Sequence, residues 1–204
     1  MSSDPQFEVR PVDYATVKKV LAEAHYIGKP GSTSVRLGLY LAGELAGVIT
    51  YGTIPLPNAR AICGPEHERQ VLELTRLALY DWAPRNSESR LIAASYQHVL
   101  VARPQTRILI SYADGRQGHV GTIYQASNWL YTGASTGDVV YCCDDGRTLH
   151  PRTVGWKDLP PGRWVPAGNK YRYVTFIGTP TDRRVLRKRL RWPVLPAPKL
   201  SEVK

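Results

Sequence analysis

Ile108-Leu109-Ile110, the turn residues Asp114-Gly115 and Gly118, and the spaced side chains Val120, Ile123, Tyr124 and Ser127 leave the middle of this chain few ways to fold. An uninterrupted apolar run of that length reads as a buried strand. The glycines suit a turn in which the backbone bends sharply. Residues 120, 123, 124 and 127 then recur at i, i+3, i+4 and i+7, the spacing of one helix face. Asp114 is therefore expected at a strand end, His119 near the start of the next helix, and Tyr124 about one turn into it. Ligand sites in open α/β sheets gather at such strand ends, so Ser111–Trp129 is where chemistry is expected.

The preceding segments supply neighbours for that strand. Gln70–Tyr80 (QVLELTRLALY) mixes alternation with apolar continuity, as a central strand would, though by propensity it also reads as a helix. Pro84 stops it, Asn86 or Ser87 provides an N-cap, and Ile92, Tyr96, Val99 and Leu100 form a helical stripe. With a strand over Arg107–Tyr112 this makes a right-handed parallel βαβ unit. The amides and dipole of that helix start, with serine hydroxyls and Arg85 or Arg90 nearby, form a natural anion site. A well-capped ordinary helix carries the same signature.

Closer to the N-terminus, Asp13 can cap a helix bearing Val17, Val20, Leu21 and Ala24, ended by Gly28 and Pro30. His25 and Tyr26 fall in its last turn, either as a dipole-favoured cap or facing a ligand beneath the small-residue loop Gly28–Ser34. Val35–Tyr40 and Leu45–Tyr51 flank Ala42-Gly43-Glu44 as a hairpin, and Pro55 and Pro57 begin a loop. Short strands are expected at 129–132 and 138–142, an irregular surface segment at 147–170, and a last strand at Tyr171–Ile177.

The net charge of +10 is unevenly placed. Residues 147–204 hold 14 Lys/Arg against 3 Asp/Glu, whereas residues 1–146 hold 13 against 14. A nearly neutral body with a basic C-terminal quarter points to a polyanionic partner, most simply nucleic acid, or else to a solvated cationic tail. Three cysteines (63, 142 and 143) without a C-x-x-C pair argue against a disulfide framework or a zinc site, and Cys142-Cys143 reads as buried filler. With no apolar leader and no run of transmembrane length, a soluble, cytoplasmic protein that does not engage membranes is expected.

The order helix, hairpin, strand, phosphate-type helix, strand and tyrosine-bearing helix is similar to the GNAT acetyltransferase fold. That resemblance implies an α/β domain over residues 1–178, with a central mixed sheet flanked by helices and two parallel strands splayed around acyl-CoA. A basic, proline-containing tail over 179–204 follows. The usual Arg/Gln-x-x-Gly-x-Gly/Ala phosphate loop is replaced by Arg85-Asn-Ser-Glu-Ser-Arg90, with Glu88 and Arg90 at the glycine positions. Acetyl-CoA or a related CoA thioester is the implied cofactor, held by Arg85, Asn86, Ser87, Ser89 and Arg90.

A more specific resemblance covers about residues 20–178. His25-Tyr26-Ile-Gly, Trp82-Ala-Pro-Arg-Asn-Ser-Glu-Ser-Arg90, Tyr112-Ala-Asp-Gly, Gly-Thr-Ile-Tyr124-Gln-Ala, Asn-Trp129 and Lys170-Tyr-Arg-Tyr-Val174 resemble the phage Mom family. Membership implies a GNAT-like transferase that converts adenine in double-stranded DNA to its N6-carbamoylmethyl form and so shields phage DNA from restriction, in the host cytoplasm. It implicates His25, Tyr26, Ser89, Asp114 and Tyr124, with Tyr51 as a weaker candidate.

Adenine N6 is a poor nucleophile, so a catalyst must orient it and remove a proton as the bond forms. In a duplex it must also flip the base. Asp114 is expected to accept the N6 hydrogen, as base or orienting acceptor. Tyr124 suits protonation of a leaving thiolate, and His25 and Tyr26 suit holding the base. Plain acetyl transfer explains neither the methylene linkage nor the amide nitrogen, so a redox or metal step, or another donor, is required. His25, Asp114 and His119 are conceivable metal ligands without supporting spacing, and the metal is left open. Arg183, Arg184, Arg187, Lys188, Arg189 and Arg191 are candidate phosphate contacts. Two alternatives stand beside this reading, a GNAT enzyme acetylating a small amine or protein and a non-catalytic DNA-binding protein on a transferase scaffold. Oligomeric state, a homodimer included, is not encoded in these patterns.

Overall fold

The computed structural model describes residues 7–25, 28–135, 139–149, 159–166 and 168–199. Strand β1 (Phe7–Pro11) leads into helix α1 (Tyr14–Ala24), whose start is fixed by the Asp13 carboxylate accepting the Thr16 amide at 2.7 Å. The helix ends one residue earlier than expected: His25 is its extended C-cap, not part of the last turn, and its amide still reaches Leu21 O. Tyr26 lies outside the described residues. Strands β2 (Val35–Leu41) and β3 (Glu44–Gly52) form the expected hairpin.

The proline loop contains a short helix, α2 (Leu56–Cys63), because Pro57 sits at a first-turn position where its missing amide costs nothing. Strand β4 (Val71–Leu79) settles the ambiguity at 70–80 in favour of sheet. Helix α3 (Ser87–Ala102) follows, then β5 (Ile108–Asp114) and α4 (Thr122–Ala126). The last of these is only five residues long, since Gly118 and Gly121 both take positive φ before it, so Val120 and Ser127 fall outside it.

Strand β6 (Leu130–Ser135) belongs to the main sheet. A separate three-stranded sheet is built from β7 (Val139–Cys143), β8 (Thr148–Leu149) and β9 (Gly162–Pro166). Part of the segment expected to be irregular is thus paired. Gly162 permits this, because a Cβ there would stand 2.3 Å from Cys142 O. Strand β10 (Lys170–Phe176) precedes α5 (Pro180–Arg189), so much of the basic run is a helix. Thr179 and Asp182 form a reciprocal cap at its start. Leu186 anchors it, being 3% exposed, and such burial contributes about 2 kcal/mol. All three cysteines are free, with Cys63 and Cys143 buried and Cys142 partly exposed. No helix among the described residues is long and apolar enough to cross a membrane.

The main sheet has the order β1-β2-β3-β4-β5-β10-β6 and is antiparallel except at β4 and β5. Those two strands pair only from Val71–Glu73 to Ile108–Ile110, and beyond this they part. Alternation along them separates two faces. Leu72, Leu74, Leu109 and Ala113 pack with α3 and α4. Val71, Ile108 and Ile110 pack on the other side with Ile62 of α2 and Leu186 of α5.

Candidate active site

Where β4 and β5 separate, the sheet opens into a cleft of about 800 Å³ lined from both faces. At its vertex the Ser111 hydroxyl donates to the Leu74 carbonyl at 2.9 Å, bridging the diverging strands, and is hydrogen-bonded to the Tyr124 hydroxyl at 2.8 Å. Tyr124 is held from behind by the rings of Trp129 and Tyr173, with centroids 5.3 and 5.2 Å away. Gly121 makes that stack possible, since a Cβ there would meet the Tyr173 ring at 2.2 Å. This wall, on the α3–α4 face, is hydroxyl and aromatic in character.

The opposite face is ionisable. Alternation from Ile108 and Ile110 puts Tyr112 and Asp114 on the α2–α5 side, and Glu73 follows Val71 there. Asp114 ends β5, pairs in register with Lys170 of β10, and accepts the Arg116 amide at 3.1 Å through Oδ1 as the cap of a tight turn. The expected acid/base partners Asp114 and Tyr124 both line the cleft but stand on opposite sides of β5.

His25 reaches the same cleft from the end of α1. Burial is the main cause that lowers its pKa to about 4, with Arg76 and His119 adding repulsion, so the imidazole is neutral at physiological pH. A neutral ring can stack on a base or hold its edge. The Gly28–Ser34 loop is seated on the sheet through its backbone: Arg76 Nε donates to Lys29 O at 3.0 Å and Thr75 Oγ1 to Ser32 O at 3.2 Å. A Cβ on Gly52 would stand 2.1 Å from Ser32 O, so only glycine lets the loop lie this close. Among the described residues no three His, Cys, Asp or Glu side chains gather as a metal-holding group.

The start of α3 departs from expectation in an informative way. Asn86 occupies the cap position with φ +68°, and no side chain caps the helix. Ser89 Oγ donates back to Asn86 O at 3.0 Å, Arg90 stacks over the Phe7 ring at 4.3 Å, and Arg85 is exposed. Of this turn it is Glu88 that lines the cleft. The Ser87 hydroxyl is buried and has no hydrogen-bond partner among the described residues. First-turn amides lack intrahelical acceptors, and a buried hydroxyl left unpaired costs free energy. An uncapped helix start with an orphan hydroxyl fits an anionic phosphate group.

Arg183, Arg184, Arg187 and Lys188 are exposed on α5, whereas Arg189 approaches Glu66 at 3.5 Å. Arg191 fastens the chain after α5 to α2 through its amide on Ile62 O. Helix α2 links the two regions, since Asn58 near its start lines the cleft and Ile62 and Cys63 at its end pack on α5. The basic helix therefore lies on the ionisable side. Tyr51 is fully buried, bonded to Ser95 Oγ at 2.6 Å, and does not line the cleft.

Glu73, Arg76 and Lys170 also line the cleft, and no motif in the sequence assigns them a site role. The first two are nonetheless visible there, as charges at alternate and near-alternate positions inside an apolar strand. The model of the Mom protein family matches residues 6–199. The methylcarbamoylase Mom of Escherichia phage Mu is 28% identical over 207 residues, covering 95% of this chain and 84% of that protein. Among solved structures, a protein described as an acetyltransferase from Acinetobacter baylyi superposes with a TM-score of 0.54 at 13% identity, over 89% of this chain and 97% of the other. Ard1 from Thermoplasma volcanium gives 0.51 at 12% identity, over 85% and 99%. These likenesses establish the GNAT acetyltransferase fold, with β4 and β5 as its splayed pair.

Proposed function

Since the chain belongs to the Mom protein family, we propose that it is a DNA-modifying transferase that converts adenine to N6-carbamoylmethyladenine and so protects phage DNA from restriction. The observation that carries this reading is a cleft with proton-handling groups on one face, continuous through α2 with the basic helix α5. Duplex DNA laid on that side by Arg183, Arg184, Arg187 and Lys188 would present a flipped base to His25 and Asp114. The phage Mu relative is named a methylcarbamoylase, which points to the same chemistry.

On this reading each face has its task. The neutral His25 ring holds the base without competing for phosphate. Asp114, fixed by the Arg116 amide, keeps one carboxylate oxygen to orient the N6 hydrogens. Tyr124, set by Ser111 and its ring stack, stands on the far side to donate a proton to a departing group. The first turn of α3 and the Ser87 hydroxyl fit the phosphates of a CoA thioester. Such a thioester would supply a carbonyl activated by a thiolate leaving group. The methylene linkage of the product still calls for chemistry before or beyond simple acyl transfer.

A protection assay tests the proposal. Plasmid from cells expressing the protein should resist endonucleases whose sites contain adenine, while plasmid from cells expressing Asp114→Ala is cut. Equal cutting of both would reject the reading.

A further inference from the structure

Resting on adenine modification as the reaction, we propose that Glu73 is the catalytic residue that takes the proton from N6 as the new N–C bond forms. Its position carries the inference. Glu73 opposes Ile110 at the last paired rung of β4 and β5, so its carboxylate stands where the strands part and the cleft begins. It shares the ionisable face with Tyr112 and Asp114 from β5, Arg76 from its own strand, Lys170 from β10 and His25 from the end of α1. Among the described residues its carboxylate accepts no hydrogen bond and forms no ion pair, and it feels Arg76 and Lys170 only at a distance. A partly buried carboxylate in a cleft with both oxygens uncommitted is unusual for a structural residue.

The neighbours divide the remaining roles. Asp114 has one oxygen tied into the turn that ends β5, which suits an orienting acceptor more than a group that must gain and shed a proton. His25 holds protons poorly, with its pKa lowered to about 4. Tyr124 stands across the strand. For Glu73, burial raises the pKa above the usual carboxylate value, and Arg76 and Lys170 pull it back only in part. A cleft carboxylate whose basicity is raised by burial is suited to general-base work.

The step balances without an oxidant. N6 forms a bond to the methylene carbon of an electrophilic carbamoylmethyl donor, the bond from that carbon to the donor's leaving group breaks, and the leaving group departs with the electron pair. The N6–H bond breaks, its electrons remain on nitrogen, and the proton passes to a Glu73 carboxylate oxygen. Arg76 and Lys170 act on this carboxylate electrostatically and favour its ionised form against the effect of burial.

The test uses purified full-length protein and plasmid DNA in an extract of cells lacking the protein, which supplies the donor, with modified adenosine measured by mass. Glu73→Gln should lower the yield by about 100-fold or more while DNA affinity and the unfolding midpoint hold. Glu73→Asp should retain part of the activity with the acid limb of the pH profile displaced. Activity of Glu73→Gln within about threefold of wild type would overturn the inference and leave adenine modification standing. Absence of modified adenosine with wild-type protein would instead overturn the parent reading, and this inference with it. Should Glu73→Gln fail to fold, Glu73→Asp decides: a displaced acid limb supports the role and an unchanged limb overturns it.

Discussion

The two faces of the gap between β4 and β5 are furnished oppositely although the same strands build both. Toward α3 and α4 stand mainly hydroxyls and aromatic rings, Ser111, Tyr124 and Trp129, with Glu88 as the carboxylate from the first turn of α3 beside the buried Ser87 hydroxyl. Toward α2 and α5 stand Glu73, Arg76, Asp114, Lys170 and His25. A strand alternates its side chains, so one short parallel pairing that ends early delivers two chemistries to a single opening. Donor and acceptor can thus be handled from opposite sides of one sheet, each face changeable without rebuilding the other.

Altering one face at a time probes this division. After Glu73→Gln, the most severe outcome is expected from Asp114→Ala, which should lower adenine modification by about 100-fold while acetyl-CoA affinity, measured by calorimetry, stays unchanged. Equal reduction of both properties would mean that the faces are not separate. Replacing Arg183, Arg184, Arg187 and Lys188 together with glutamine should weaken duplex binding. It should also reduce the slope of log affinity against log salt by about 0.9 for each phosphate that α5 no longer neutralises. An unchanged slope in a salt titration removes α5 from the interface.

Ser87→Ala acts on the other wall. It should weaken acetyl-CoA binding by a factor of about 5 to 10, near the worth of one hydrogen bond. The ligand-free protein should be no less stable, because an unpaired buried hydroxyl is removed. Lower stability without ligand would show that the hydroxyl has a structural partner.

The mildest effect concerns pH. The folded state holds the His25 pKa at about 4, below its ordinary 6.5. The stability this contributes is present above pH 6.5 and is lost as pH falls toward 4, because the unfolded chain binds the proton first. The unfolding midpoint should decline across that window, and less steeply in His25→Gln. Parallel curves for the two proteins would contradict it.

Much of the fold was legible in residue patterns. Apolar runs and turn glycines located β5, and the Asp13 cap located α1, because these depend on local geometry. Residue 25 falls within one position of its expected place for the same reason. Cross-strand facts were not legible. That β4 and β5 pair over three rungs and then diverge depends on the whole sheet, and so does the separation of Asp114 from Tyr124. Glu73 and Arg76 were visible as charges inside an apolar strand, but only the opening of the sheet beside them gives those charges a place to act. The α5 arginines were legible as a charge run, while the engagement of Arg189 by Glu66 required the packing of α5 against α2, whose end lies just before Glu66.

Whether this two-faced cleft modifies adenine is decided most directly by the nucleosides in the DNA of expressing cells. Mass analysis should find an adenosine heavier by a carbamoylmethyl group with the wild-type protein and about 100-fold less of it with Asp114→Ala. Only ordinary nucleosides from wild-type cells, with the protein expressed and folded, would be incompatible with adenine as the substrate.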